Sequence, residues 1–116
     1  MHRILIAEDN ETNMKLMYDV LTAKGYAVEK AWDGEEAIAK LAQADYDLLI
    51  LDIQMPKKSG YDVLKELKND DIRVLVVSAC AMDQDIELAK TIRCLDYMTK
   101  PIKIFVFLEK VSSILL

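Results

Sequence analysis

The chain has 116 residues, a formal net charge of −5, two cysteines and a single histidine. That length suits one domain, residues 1–116, with one core and no room for a second, and the acidic balance sets a field that repels nucleic acid and anionic membrane, excluding direct binding to either. No apolar run approaches the roughly 20 residues of a membrane span, the N-terminus lacks a signal-peptide layout, and Cys80 and Cys94 lack both CxxC spacing and the density of a disulfide framework, so a cytoplasmic protein is expected.

Arg3–Ala7 reads as a buried strand. Asn10 to Lys24 reads as an amphipathic helix with Met14, Met17, Tyr18 and Leu21 at spacings of three and four, stopped by Gly25. Ala27–Ala31 carries Glu29 and Lys30, which suits a strand at a sheet edge. The Asp33-Gly34 turn leads to a helix with Ala37, Ile38 and Leu41 facing inward. Leu48–Leu51 and Arg73–Val77 are apolar on both faces, as central parallel strands covered by helices are. Between them Pro56 and Gly60 mark an irregular loop, and Tyr61–Lys68 a short helix with Val63, Leu64 and Leu67 inward. A helix near Met82–Ile92, a strand at Leu95–Met98 and a last helix from about Lys103 complete the chain.

This alternation predicts an α/β fold: (βα)5 with right-handed crossovers and a doubly wound five-stranded parallel sheet. Strand order does not follow from alternation. In the common five-stranded order 2-1-3-4-5, strands 1 and 3 adjoin at the switch point, which makes Asp9 and Asp52 neighbours.

Four apolar runs end on groups useful to phosphoryl chemistry: Glu8-Asp9, Asp52, Ser78 and Lys100. In a parallel sheet these ends share the carboxyl edge, where open α/β sheets bind ligands. Three carboxylates there repel one another unless a cation intervenes. Mg2+, with Mn2+ as a substitute, suits oxygen ligands from Glu8, Asp9 and Asp52 and a loop carbonyl, that of Gln54. Asp52 is the candidate nucleophile, forming an acyl phosphate, with Lys100 and the Ser78 hydroxyl taking the remaining phosphoryl charge. Each residue alone has a blander reading: Asp9-Asn10 as a helix N-cap, Asp52 as a turn opener, Ser78 as a loop-start hydroxyl, Lys100 as a solvated lysine, Tyr97 as a half-buried aromatic. Their joint placement favours the chemical reading. With no GxxxxGK[ST] loop and only His2 as a histidine, the phosphoryl donor is another protein or a small reactive phosphate.

Glu8-Asp9-Asn10, Asp52 followed by Met55-Pro56 and Gly60, Ser78-Ala79, and Asp96-Tyr97 leading to Lys100-Pro101 resemble the receiver domain of two-component response regulators over essentially the whole chain. The resemblance implies the flavodoxin-like receiver fold, phosphorylation of Asp52 from a phosphohistidine, and a magnesium site at Glu8 and Asp9. It further implies that Ser78, with Ala79, and Lys100 read the phosphoryl group, that Tyr97 is the switch aromatic, and that Lys100-Pro101 is a cis peptide. Gln54 and Cys80 occupy positions that modulate phosphoryl lifetime in the family. The Asn10–Met14 opening and Lys100-Pro101-Ile102 look most like free-standing receivers of the DivK kind and phosphorelay receivers. Arg93 departs from the pattern, standing where the family usually has a glycine.

The expected partners are a histidine kinase or histidine phosphotransfer protein and a downstream protein. The expected state is a monomer or a weak phosphorylation-dependent dimer, and the chain acts as a phosphoacceptor switch rather than an enzyme. Phosphorylation is expected to alter the surface around the fourth helix, fifth strand and fifth helix. Asn13, Met14, Pro101, Ile102, Phe105 and Val106 form the candidate partner surface. In the last helix Ile104, Phe107, Leu108, Val111 and Leu115 make the inward stripe, leaving Phe105 and Val106 on a polar face.

Alternatives are a receiver segment of a hybrid histidine kinase, although Met1 just before the first strand suits a natural start, and a small aspartyl-phosphate phosphatase of the haloacid dehalogenase type. The phosphatase needs Asp-x-Asp after its first strand and a substrate cap; Glu8-Asp9 and the short chain argue against it. A flavin-binding module needs a Ser/Thr/Gly-rich phosphate loop, where Glu8-Asp9-Asn10-Glu11 would repel phosphate.

Overall fold

The structure is a computed structural model that describes residues 2–55, 57, 59–67, 72–78 and 94–115, without the side chains of residues 61, 94 and 95. Five parallel strands, β1 Arg3–Ala7, β2 Ala27–Ala31, β3 Leu48–Asp52, β4 Arg73–Ser78 and β5 Cys94–Thr99, form one sheet in the order β2-β1-β3-β4-β5. This is the doubly wound order expected. The helix expected near Met82–Ile92 and the Arg93 turn lie outside the described residues.

Period-two alternation assigns each strand side chain to one of two cores. Ile4, Ile6, Leu48, Ile50, Leu75 and Val77 face one side, under α1 (Glu11–Ala23) and the C-terminal helix (Ile104–Leu115). Leu5, Ala7, Leu49, Leu51, Val74 and Val76 face the other, under α2 (Gly34–Gln43) and α3 (Gly60–Lys65). Residues 4–7 and 48–52 are buried throughout, so β1 and β3 are held on both faces and their carboxyl ends form a rigid base for the site. β2, in which only Ala31 is buried and Glu29 is exposed, lies at the edge as its charges predict.

Local chemistry sets the helix ends. Asn10 caps α1 by accepting from the Asn13 N–H at 2.9 Å. Gly25, at φ 91°, closes that helix in a Schellman turn: its N–H donates to the Thr22 carbonyl at 3.0 Å, and that of Tyr26 to Leu21 at 3.3 Å. Asp33 does more than open a turn, since its carboxylate accepts from Glu36 N–H at 2.8 Å and caps α2. α3 ends at Lys65, earlier than the expected Lys68, because Glu66 and Leu67 tighten to i−3 carbonyl partners.

Two sequence expectations are corrected. Met14 is fully buried with Met17 and Leu21, so it belongs to the α1 core stripe and not to a partner surface. Ile104 is not inward; it lies in the first turn of the C-terminal helix, past the end of β5, and stays exposed, while Phe107, Val111 and Leu115 carry the buried face. Phe105 is 88% exposed and Val106 42%. Phe105→Ser is accordingly expected to cost less than about 1 kcal/mol in urea unfolding, against about 3–5 kcal/mol for truncating a buried phenylalanine. A loss of several kcal/mol would place Phe105 in the core.

Candidate functional site

The parallel order brings the carboxyl ends of β1 and β3 together: Ala7 pairs in register with Leu51, so the residues that follow, Glu8 and Asp52, sit side by side. Asp52 pairs with Val77, which places Ser78 one step beyond on β4, and Ser78 pairs with Thr99, the residue before Lys100. One carboxyl edge therefore collects Glu8, Asp9, Asp52, Ser78 and Lys100. Glu8 is 0%, Asp52 3% and Ser78 4% exposed, whereas Asp9 opens to solvent. Because Asn10 supplies the α1 cap, Asp9 is not used for it and its carboxylate is available at the mouth of the site.

Glu8, Asp9 and Asp52 each present a carboxylate oxygen within 4.8 Å of the others. Octahedral magnesium with oxygens about 2.1 Å away separates adjacent ligands by about 3 Å and opposite ones by about 4 Å, so this set needs only slight contraction to hold such an ion. The Lys100 ammonium lies 2.7 Å from Glu8 Oε1 and 3.1 Å from Asp52 Oδ2, neutralising part of the crowded charge. Burial pushes the Glu8 carboxyl up to about 7; Lys100 opposes the shift and Asp52 reinforces it. Burial alone would lower the Lys100 ammonium, but Glu8 and Asp52 outweigh it and hold it above the usual lysine value.

Backbone contacts fix these groups. The Gln54 N–H donates to Asp52 Oδ1 at 3.1 Å, and the Asn10 N–H to Glu8 Oε2 at 3.2 Å. Lys100 N–H donates to the Ser78 carbonyl at 2.9 Å, and Lys100-Pro101 is cis. Buried hydrophobic strands thus hold reactive acids, a lysine and a hydroxyl in a mouth open through Asp9. Such a set can take a hard cation and a phosphoryl group together.

Residues 4–112 match the response regulator receiver domain family. The chain belongs to that family. The receiver is 40% identical to the polar-differentiation response regulator DivK of Brucella anthropi, across 97% of this chain and 94% of that protein, and equally so to DivK of Brucella ovis. Among solved structures it superposes on a CheY-like receiver domain protein from Methanospirillum hungatei with a TM-score of 0.94, at 26% identity over 99% of this chain and 94% of that one. It also superposes on the response regulator TrrA of Thermotoga maritima, in complex with Mg(2+)-BeF, at a TM-score of 0.88 and 31% identity, covering 98% and 99%. The receiver is a two-component signalling protein with an acidic phosphoacceptor pocket, not a conventional enzyme. Among the described residues no helix is long and apolar enough to cross a membrane.

Of the other residues singled out in the receiver sequence, Tyr97 is half-buried on β5 against the core that holds Val76. Gln54 is exposed, Pro101 is exposed, and Ile102 and Asn13 are half-buried. Ala79, Cys80 and Pro56 lie outside the described residues.

Gly60 has a larger part than a loop marker. Its N–H donates to the Ile53 carbonyl at 2.8 Å, and a Cβ there would stand 2.7 Å from both the Asp52 carbonyl oxygen and Ile53 Cα. A glycine at the first position of a short helix, three residues before the core position Val63, is common, and nothing in the sequence shows which backbone it must approach. Gly60→Ala is expected to cost about 1–3 kcal/mol in chemical denaturation and to slow labelling by acetyl phosphate, since the forced shift falls on Asp52 itself. Unchanged stability and labelling would mean the loop yields freely.

Proposed function

We propose that this chain is a single receiver domain in which Asp52 accepts a phosphoryl group from the phosphohistidine of a histidine kinase or histidine phosphotransfer protein. The observation that carries the reading is the buried Asp52 carboxylate, bracketed by Lys100 at 3.1 Å and by Glu8 and Asp9 within 4.8 Å. A carboxylate oxygen of Asp52 attacks phosphorus, the P–N bond breaks with its electron pair passing to the imidazole, and an acyl phosphate forms. Lys100 leaves Glu8 to neutralise one phosphoryl oxygen, and the Ser78 hydroxyl donates to another.

The three carboxylates are the ligands we assign to Mg2+, with Mn2+ as a substitute and the Gln54 carbonyl as a further donor. The ion supplies charge neutralisation on the phosphoryl oxygens when bound. The Mg(2+)-BeF complex of the Thermotoga relative supports that assignment. Ser78 moving toward the phosphoryl group, which Ala79 is assigned to help bind, frees space for Tyr97 to bury, which biases a two-state equilibrium and changes the surface around β5 and the C-terminal helix. Gln54 and Cys80 tune the phosphoryl lifetime. Asn13, Pro101, Ile102, Phe105 and Val106 are the surface offered to protein partners, and the assembly is a monomer or a weak phosphorylation-dependent dimer.

Incubating the chain and Mg2+ with a panel of radiolabelled histidine kinases tests this reading. Rapid transfer from at least one kinase, abolished by EDTA, is expected. Metal-independent transfer, or none from any donor including acetyl phosphate, would overturn it.

A further inference from the structure

We propose that Lys57 and Asp33 form a strap across the site that positions the Ile53–Gly60 loop for metal binding. The Lys57 ammonium lies 3.4 Å from Asp33 Oδ2. Asp33 follows β2 and Lys57 follows β3, and those strands flank β1, which carries Glu8 and Asp9. The pair therefore ties together the two turns on either side of the acid couple.

Both ends of the strap are anchored. Asp33 is mostly buried, and its other oxygen caps α2 at 2.8 Å from the Glu36 N–H. That backbone contact is the main reason its carboxyl is held below the usual aspartate value, with Lys57 adding to it against the opposing effect of burial. On the loop side, Ser59 and Asp62 form a reciprocal capping box at the start of α3, and Gly60 is bonded to Ile53. Between these fixed points Lys57 adopts φ 66°, a left-handed conformation that a long side chain rarely takes unless its surroundings impose it. The same loop begins with Gln54, whose N–H already orients Asp52. Lys57 is a positioning residue: it touches no reacting atom, and it acts through the loop backbone.

The inference rests on the magnesium reading of the acid cluster, and its test separates the two. A strap and a simple charge effect predict opposite results for Lys57. If only Coulomb attraction counted, removing this cation would tighten Mg2+ binding, and removing the Asp33 charge would weaken it. If the pair positions the loop, Asp33→Asn and Lys57→Met both weaken binding, by roughly tenfold as for other groups that orient metal ligands. The double variant then loses no more than either single one.

Asparagine caps helices as well as aspartate, so Asp33→Asn retains α2. Mg2+ titrated calorimetrically into the full-length wild type, the two singles, the double and Lys57→Arg provides the measurement, with hydrogen exchange of the Gln54 amide in metal-free protein as a second readout. Equal losses in the singles, no added loss in the double, faster Gln54 exchange and restoration by Lys57→Arg are expected. Tighter binding by Lys57→Met, additive losses, or unchanged affinity and exchange would overturn the strap while leaving the metal reading intact. A wild type that binds no Mg2+ overturns both.

Discussion

Asp52→Asn is expected to abolish acyl-phosphate formation while leaving the fold in place. The amide keeps the size of the carboxylate and an oxygen that can accept from the Gln54 N–H, now 3.1 Å from Oδ1. What is lost is the nucleophilic charge and one ligand for a cation. Lys100 retains Glu8 at 2.7 Å, so the buried ammonium keeps a partner. Removing one of three crowded acids also relieves repulsion, and the net change in metal-free stability is expected to stay within about 2 kcal/mol. With acetyl phosphate and Mg2+, the wild type should acquire a hydroxylamine-labile label and the variant none. A hydroxylamine-resistant label on Asp52→Asn would identify another nucleophile.

Lys100→Ala is expected to separate acceptance of phosphate from the response to it. The nucleophile and the three acidic ligands remain, so labelling by acetyl phosphate should persist, more slowly. The switch should not follow, because the ammonium that draws β5 toward the phosphoryl group is gone. A charge-assisted hydrogen bond contributes about 1.5–3 kcal/mol, enough to move a two-state equilibrium by about 10- to 100-fold. Amide spectra of the phosphorylated variant should therefore stay close to those of the free form. A normal phosphorylation-dependent shift would contradict the role.

The same substitution has a pH signature in metal-free protein. Glu8, raised by burial to about 7, binds a proton more tightly when folded than when unfolded. Its contribution to stability is full below its ordinary value near 4.5 and is lost as pH rises through about 7. Removing Lys100 withdraws the one side-chain partner that lowers this group, so urea midpoints of Lys100→Ala should fall more steeply with pH than those of the wild type. Parallel pH profiles would show that Lys100 does not control the Glu8 proton.

Much of this is legible in the sequence. Runs apolar on both faces announced β1, β3 and β4, and the charged Ala27–Ala31 run announced an edge strand. Gly25 announced the end of α1, and the residues closing each run announced the site. Met14 belongs to both the apolar stripe and the expected partner surface by its place in the sequence, and its spacing to Met17 and Leu21 is the signal that holds: all three are buried. Ile104 shows the opposite: its spacing fits the inward stripe, but it lies in the first turn of the helix, which overhangs the layer it packs on, and stays exposed.

Residue order by itself therefore determined what depends on neighbours a few positions apart: which segments are strands or helices, which faces are apolar, and which chemical groups end each strand. Only the tertiary structure decided that Lys100 bridges Glu8 and Asp52, that Gly60 must lie against the Asp52 backbone, and that Lys57 reaches Asp33. Periodicity is a local property of the chain. The contacts of Lys57 and Lys100 join residues 24 to 92 positions apart, and they exist because strand order and crossover hand carry distant turns to one edge of the sheet.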